Sequence, residues 1–176
     1  MPPPKPELSL KARALRFLAA REHSRLELAR KLARHCEDAD EIERVLDDFA
    51  ARGWLSAERF AESVAHRRAS RYGSARIRQE LQQHGVEREV AAPVLAALQA
   101  TELQRATTLW RQRFGRAPQD LAERARQQRF LLARGFSGDT VRRVLREATQ
   151  GSNEDGALDP SDDLPDGLDA AGPSED

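Results

Sequence analysis

The sequence predicts an all-α fold: three tandem three-helix repeats forming an elongated, curved molecule, then a disordered acidic C-terminal tail. Three observations carry this expectation. Helix formers (Ala, Leu, Arg, Glu, Gln) dominate and strand formers are scarce. Apolar residues recur at i, i+3, i+4 and i+7. The whole pattern then returns at a period of about fifty residues.

The pattern places helices near 8–21, 25–35, 39–51, 57–71, 75–84, 87–99, 102–114, 118–134 and 138–149. Ser24-Arg25-Leu26-Glu27 has capping-box spacing and starts the second. Ile42, Val45, Leu46 and Phe49 form the apolar stripe of the third, which Gly53 closes, followed by Trp54. Leu55-Ser56 followed by Phe60 sets a staple around a serine cap for the fourth. Gly85 and then Val86 close the fifth, and Ala91, Val94, Leu95 and Leu98 stripe the sixth. Gly135-Phe136-Ser137 ends the eighth helix and caps the ninth, whose stripe is Val141, Val144, Leu145 and Ala148.

Adding 49 maps Leu28 to Ile77, Leu32 to Leu81, Val45 to Val94 and Leu46 to Leu95. Adding 50 more reaches Leu131, Gly135, Val144 and Leu145 from Leu81, Gly85, Val94 and Leu95. The chain therefore divides into a flexible Pro-rich N-terminus (1–9), repeats over 10–55, 56–99 and 100–150, and the tail (151–176). Two residues fit badly. Cys36 stands where the later repeats have glycine, and Pro93 falls inside the sixth helix, tolerable only in a first turn. The tail lacks apolar periodicity and cannot bury enough surface to offset its ordering entropy.

The zero net charge conceals an asymmetry. Residues 151–176 hold nine acids and no Lys or Arg, so the other 150 residues carry 29 bases against 20 acids. The first repeat is balanced, with nine of each over 12–55, whereas 59–98 carry +3 and 99–149 carry +6. Arginine supplies nearly all the positive charge, 26 residues against three lysines. Its planar, multi-donor head suits carboxylate and phosphate alike. Two clusters stand out: Arg67, Arg68, Arg71, Arg76 and Arg78, and then Arg124, Arg126 and Arg129 with Arg142, Arg143 and Arg146 nearby. A solvated face of i, i+4 pairs accounts for the first repeat; the excess in the later two points to an anionic partner.

Other classes find less support. His23, His35, His66 and His84 lack ligand spacing and no C-x-x-C exists, so no metal or other cofactor is expected. His35, His84 and Arg134 are equivalent positions, read as cations in a helix's last turn. Ser24, Ser56 and Ser137 are read as caps, and no nucleophile or phosphate-loop motif marks an enzyme. Cys36 is the only cysteine and no apolar run resembles a signal peptide or a span, so a cytoplasmic, membrane-free protein is expected, and separately a monomer. Helices 25–35 and 39–51 look like a helix-turn-helix, but the pairing recurs in every repeat and so belongs to the repeat itself.

Three stretches resemble the RecX family, bacterial regulators of the RecA recombinase. They are Ala14-Leu15-Arg16-Phe17-Leu18-Ala19-Ala20-Arg21-Glu22-His23-Ser24-Arg25-Leu26-Glu27-Leu28, then Arg59-Phe60-Ala61-Glu62-Ser63 continuing to Arg76-Ile77-Arg78-Gln79-Glu80-Leu81, then Arg129-Phe130-Leu131-Leu132-Ala133-Arg134-Gly135-Phe136-Ser137. The resemblance implies a non-catalytic protein that binds the RecA–DNA filament in its helical groove. It implies restraint of filament growth, ATP hydrolysis, strand exchange and coprotease activity, and hence an effect on DNA repair and recombination. Single-stranded DNA is then a weak or filament-dependent partner, and the two arginine clusters are the expected contacts. The alternative is a DNA-binding protein acting without RecA, transcriptional or architectural, which needs base contacts to bare duplex.

Overall fold

The computed structural model describes residues 8–154, side chains to 151, and these are helical without strands. In order the helices are α1 (Leu10–Ala20), α2 (Arg25–Leu32), α3 (Ala39–Ala51), α4 (Ala57–Arg68), α5 (Ser74–Gln83), α6 (Arg88–Ala100), α7 (Glu102–Arg113), α8 (Leu121–Ala133) and α9 (Gly138–Glu154). They form three units, each with its own apolar core. Leu28, Leu32, Val45, Leu46 and Phe49 fill the first, Phe60, Ile77, Leu81 and Leu95 the second, and Trp110, Leu131, Val141, Val144 and Leu145 the third. One further repeat feature emerges only in space: the first helix of each unit buries an alanine completely (Ala14, Ala61, Ala106).

The helix ends follow from local chemistry. Gly53, Gly85 and Gly135 all take positive φ (69°, 71° and 80°). Behind each, the amide of the next residue returns to a carbonyl five positions earlier: Trp54 to Phe49 (2.9 Å), Val86 to Leu81 (3.0 Å) and Phe136 to Leu131 (3.3 Å). These are Schellman closures. The serine caps form too, with Ser24, Ser56 and Ser137 accepting from the amides of Glu27, Arg59 and Thr140 at 3.1–3.2 Å.

Several expectations need correction. Glu27 does not complete a capping box; its carboxylate is taken by Arg21 (3.0 Å), with Lys31 at 3.7 Å. The first repeat turns without glycine because α2 stops early, at Leu32, with the His35 amide bonded to the Leu32 carbonyl (2.8 Å). Helix α4 likewise ends at Arg68, leaving Arg71 in a turn. Helix α8 starts late because Asp120 caps it, accepting from the Glu123 amide (2.7 Å). Pro93 is the sixth residue of α6, beyond the first turn. It is exposed there, and so is Glu89, whose carbonyl four residues back loses its intrahelical donor.

The flexible segment expected over 1–9 and the tail expected over 151–176 lie mostly outside the described residues. Within them, Ser9 caps α1 by accepting from Ala12 (3.2 Å), and α9 runs on through residues 151–154. A helix already docked through Val141, Val144 and Leu145 propagates past its last packed turn at about 1 kcal/mol for the glycine.

Candidate nucleic-acid interface

The expected contact residues divide according to whether an acid already holds them. Arg68, at the end of α4, reaches Glu80 on α5 (3.2 Å) and lies over the Tyr72 ring. Among the described residues its neighbour Arg67 bonds only its own helix, donating to the Ser63 carbonyl (3.2 Å). Arg71, Arg76, Arg78, Arg124 and Arg129 are exposed, and among the described residues none has a carboxylate partner. Arg126 lies over the Phe114 ring. The nearby Arg142 and Arg143 are taken by Asp139 and Glu147.

Neither cluster is a single patch. Arg76 and Arg78, like Arg124 and Arg126, stand two residues apart on a helix, which turns their side chains about 200° from each other. Arg78 lines a groove between α5 and α6 with Arg88 and Leu95, while Arg76 packs against the α8–α9 turn at Gly135. Arg126 belongs to the α7–α8 corner with Arg113 and Arg116.

The first unit contrasts with this. Its cations are largely spent on its own acids: Lys11 on Asp48, Arg21 on Glu27, Arg25 on Glu43 and Asp47, Arg44 on Asp38, Arg52 on Asp48. Pairing within this unit is partial, since Arg16, Arg30 and Arg34 have no acid partner among the described residues and Glu22 is spent on Arg59, but the larger share of unpaired positive charge lies in the second and third units.

What joins those two units was missed in the sequence. Gly73 packs on the α8–α9 turn so closely that a Cβ there would stand 2.2 Å from the Gly135 carbonyl oxygen. Helix α5 has no side-chain cap of its own. The third unit caps it instead: Gly73 and Ala75 donate to the carbonyls of Arg134 (2.9 Å) and Gly135 (3.3 Å), and the Ser74 amide to Glu102 (3.0 Å). The Glu102 carboxylate, 5% exposed, also accepts from the Ser74 hydroxyl (2.8 Å), the Ser137 amide (3.4 Å) and Thr140 Oγ1 (3.1 Å). Burial, the largest influence, raises its pKa, but the donors from Ser74, Ser137 and Thr140 together outweigh it and hold the carboxyl below its ordinary range. One anion therefore sits at the N-termini of α5 and α9 together.

Arg105, one turn along α7, completes the junction. Its guanidinium donates to the carbonyls of Ala69 (2.7 Å), Tyr72 (2.8 Å) and Leu98 (2.7 Å) and stacks on Phe136. The signal available in the sequence was broken symmetry: position 102 is acidic where the buried first-helix pattern gives no acid in the other units.

Comparison with known proteins agrees with this architecture. Residues 11–49, 58–95 and 100–145 match the models of the first, second and third three-helix domains of RecX. The chain is 59% identical to the regulatory protein RecX of Leptothrix cholodnii over 86% of its own length and 96% of that protein. It is 54% identical to that of Ralstonia pickettii, covering 85% and 94%. The crystal structure of RecX from Lactobacillus salivarius superposes with a TM-score of 0.67 at 20% identity, over 80% of this chain and 95% of that one, a likeness of fold. The three helical units, matched in order between residues 11 and 145, place this protein in the RecX family of regulatory proteins.

Proposed function

We propose that this chain binds the RecA–DNA filament and restrains it, chiefly by inhibition, acting as a binding protein without chemistry of its own. The observation that carries the reading is the uneven spending of charge. The first unit pairs most of its cations with its own acids, whereas exposed arginines of the second and third, Arg67, Arg71, Arg76, Arg78, Arg124 and Arg129 among them, have no acid partner among the described residues. Such residues supply salt-sensitive contacts to phosphates or carboxylates of a long anionic partner. The junction at Glu102 supports this by holding two charged units in one fixed relation, which suits a repeating surface.

The test is the recombinase's single-stranded-DNA-dependent ATPase, titrated with this protein. Inhibition well below one molecule per recombinase monomer supports the reading and favours capping or disassembly over uniform coating. Absence of inhibition, with tight sequence-preferring binding to bare duplex, transfers the assignment to a RecA-independent DNA-binding protein.

A further inference from the structure

The α7–α8 corner holds a cluster that the arginine count alone did not isolate. Phe114 and Phe130 meet edge to face, their ring centroids 5.1 Å apart. Arg113 and Arg126 both lie over the Phe114 ring, at 5.8 and 5.7 Å, and Arg134 lies 3.8 Å over Phe130. The cleft beside them is lined by Arg113, Phe114, Arg116, Glu123, Arg126 and Gln127. Its one acid, Glu123, is already taken by Arg116 (2.7 Å).

Arginines stack on rings elsewhere in this molecule, but there they are also spent. Arg52 over Trp54 is paired with Asp48, Arg68 over Tyr72 with Glu80, and Arg105 over Phe136 with three carbonyls. At the α7–α8 corner Arg113 and Arg126 are exposed, and among the described residues neither has a carboxylate partner. Two planar cations thus lie within cation–π range of one aromatic ring, exposed and with no acid among the described residues.

We propose that this corner is a stacking site for the unpaired bases of single-stranded nucleic acid. A guanidinium plane backed by an aromatic ring accepts a base face, and its N–H groups meet the adjoining phosphates. Duplex bases are stacked on one another and do not present such faces. An acidic peptide would meet the charges but gain nothing from the rings. The inference deepens the filament reading above by naming which component this corner meets, the DNA strand.

The experiment compares two labelled oligonucleotides of about fifteen nucleotides, a site size ordinary for single-strand binders. One is oligothymidylate and the other an abasic strand with the same phosphates. The wild-type chain at low salt is expected to prefer the strand with bases by about five- to tenfold. In the variant carrying Arg113→Lys and Arg126→Lys, charge is kept and planarity lost. Its affinity for the abasic strand should be unchanged and the preference abolished. Equal affinity of the wild type for both strands, no binding to either, or a preference that survives in the lysine variant overturns the site. So does displacement of the oligonucleotide by polyglutamate in both proteins alike, which would reassign the corner to a protein partner. ATPase inhibition is read separately: inhibition without base preference sinks this site and leaves the filament reading standing, and base preference without inhibition does the reverse.

Discussion

A carboxylate buried beside apolar side chains is usually pushed toward its neutral form, and Glu102 goes the other way because donors from two helix N-termini converge on it. Removing it leaves the Ser74 and Ser137 amides without their acceptor at the unit junction. Glu102→Ala is therefore expected to cost about 3 kcal/mol in a urea titration, within the range for losing hydrogen bonds to a charged group. Its pH signature follows from the direction of the shift. The folded carboxyl binds its proton less tightly than the unfolded one, so its stabilisation is complete above the ordinary value near 4.5. It drains away as pH falls through the lowered folded value. The stability gap between wild type and Glu102→Gln should close in that acid window; a gap that persists unchanged there would contradict the bonding described.

His23 gives a second window, in the first unit. Burial, foremost, pushes its imidazole down from 6.5, against the opposing hydrogen bond to the Arg21 carbonyl (2.8 Å), and the Lys31 ammonium sits 2.7 Å from Nε2. The folded ring thus resists protonation, so the first unit's stability is full above 6.5 and declines as pH falls toward the lowered folded value. Stability measured at pH 7.5 and pH 5.5 (ordinary assay values on either side of the imidazole range, about 6.5) should differ in the wild type and much less in His23→Gln. Neither residue's role was legible in the sequence. Glu102 depends on donors distant in sequence and His23 on its enclosure, and a lone His or Glu on a helical pattern looks the same whether solvated or enclosed.

At the scale of the element, three glycines with the same local job carry different burdens. Gly53 at φ 69° has open space around the position of a Cβ. Gly53→Ala should cost only the left-handed backbone strain, about 1 kcal/mol. Gly135 at φ 80° would thrust its Cβ to within 2.6 Å of both the amide nitrogen and the Cβ of Arg76. Gly135→Ala combines strain with overpacking at the junction and should cost about 3 kcal/mol. Thermal melting of the two variants tests the ordering, and equal losses would mean that the junction yields. The sequence reading found these glycines because a Schellman closure is local: a glycine, then an apolar residue, behind a helical stripe. It overran α2 and α4 because nothing local marks an end where no glycine stands. It was silent on Gly73, whose constraint comes from the α8–α9 turn, distant in sequence.

For the whole molecule, local periodicity was enough to read three units, since each unit's core is built from its own stripe. Which arginines remain for a partner was not, because pairing depends on how helices face one another. Arg67 and Arg68 are adjacent in sequence, yet only Arg68 is tied to an acid. Arg67→Glu is thus the cleaner charge probe, expected to weaken filament binding at low salt with helicity intact, whereas Arg68→Glu also sets two acids together at the α4–α5 contact. The same accounting bears on residues 155–176, which carry eight acids and no base. They follow α9, which packs on α7 and α8 and so begins beside the basic third unit. Their contour cannot exceed about 75 Å, yet α8 is only about 20 Å long, so its arginines lie within reach. Tethered acids at that range compete with DNA phosphates for the same guanidinium groups. Deleting 155–176 is therefore expected to raise affinity for single-stranded DNA several-fold at low salt and to lose that effect as salt screens both competitors. If the shortened chain binds no tighter at low salt, the acids do not engage the basic units, and the charge asymmetry acts on solubility alone.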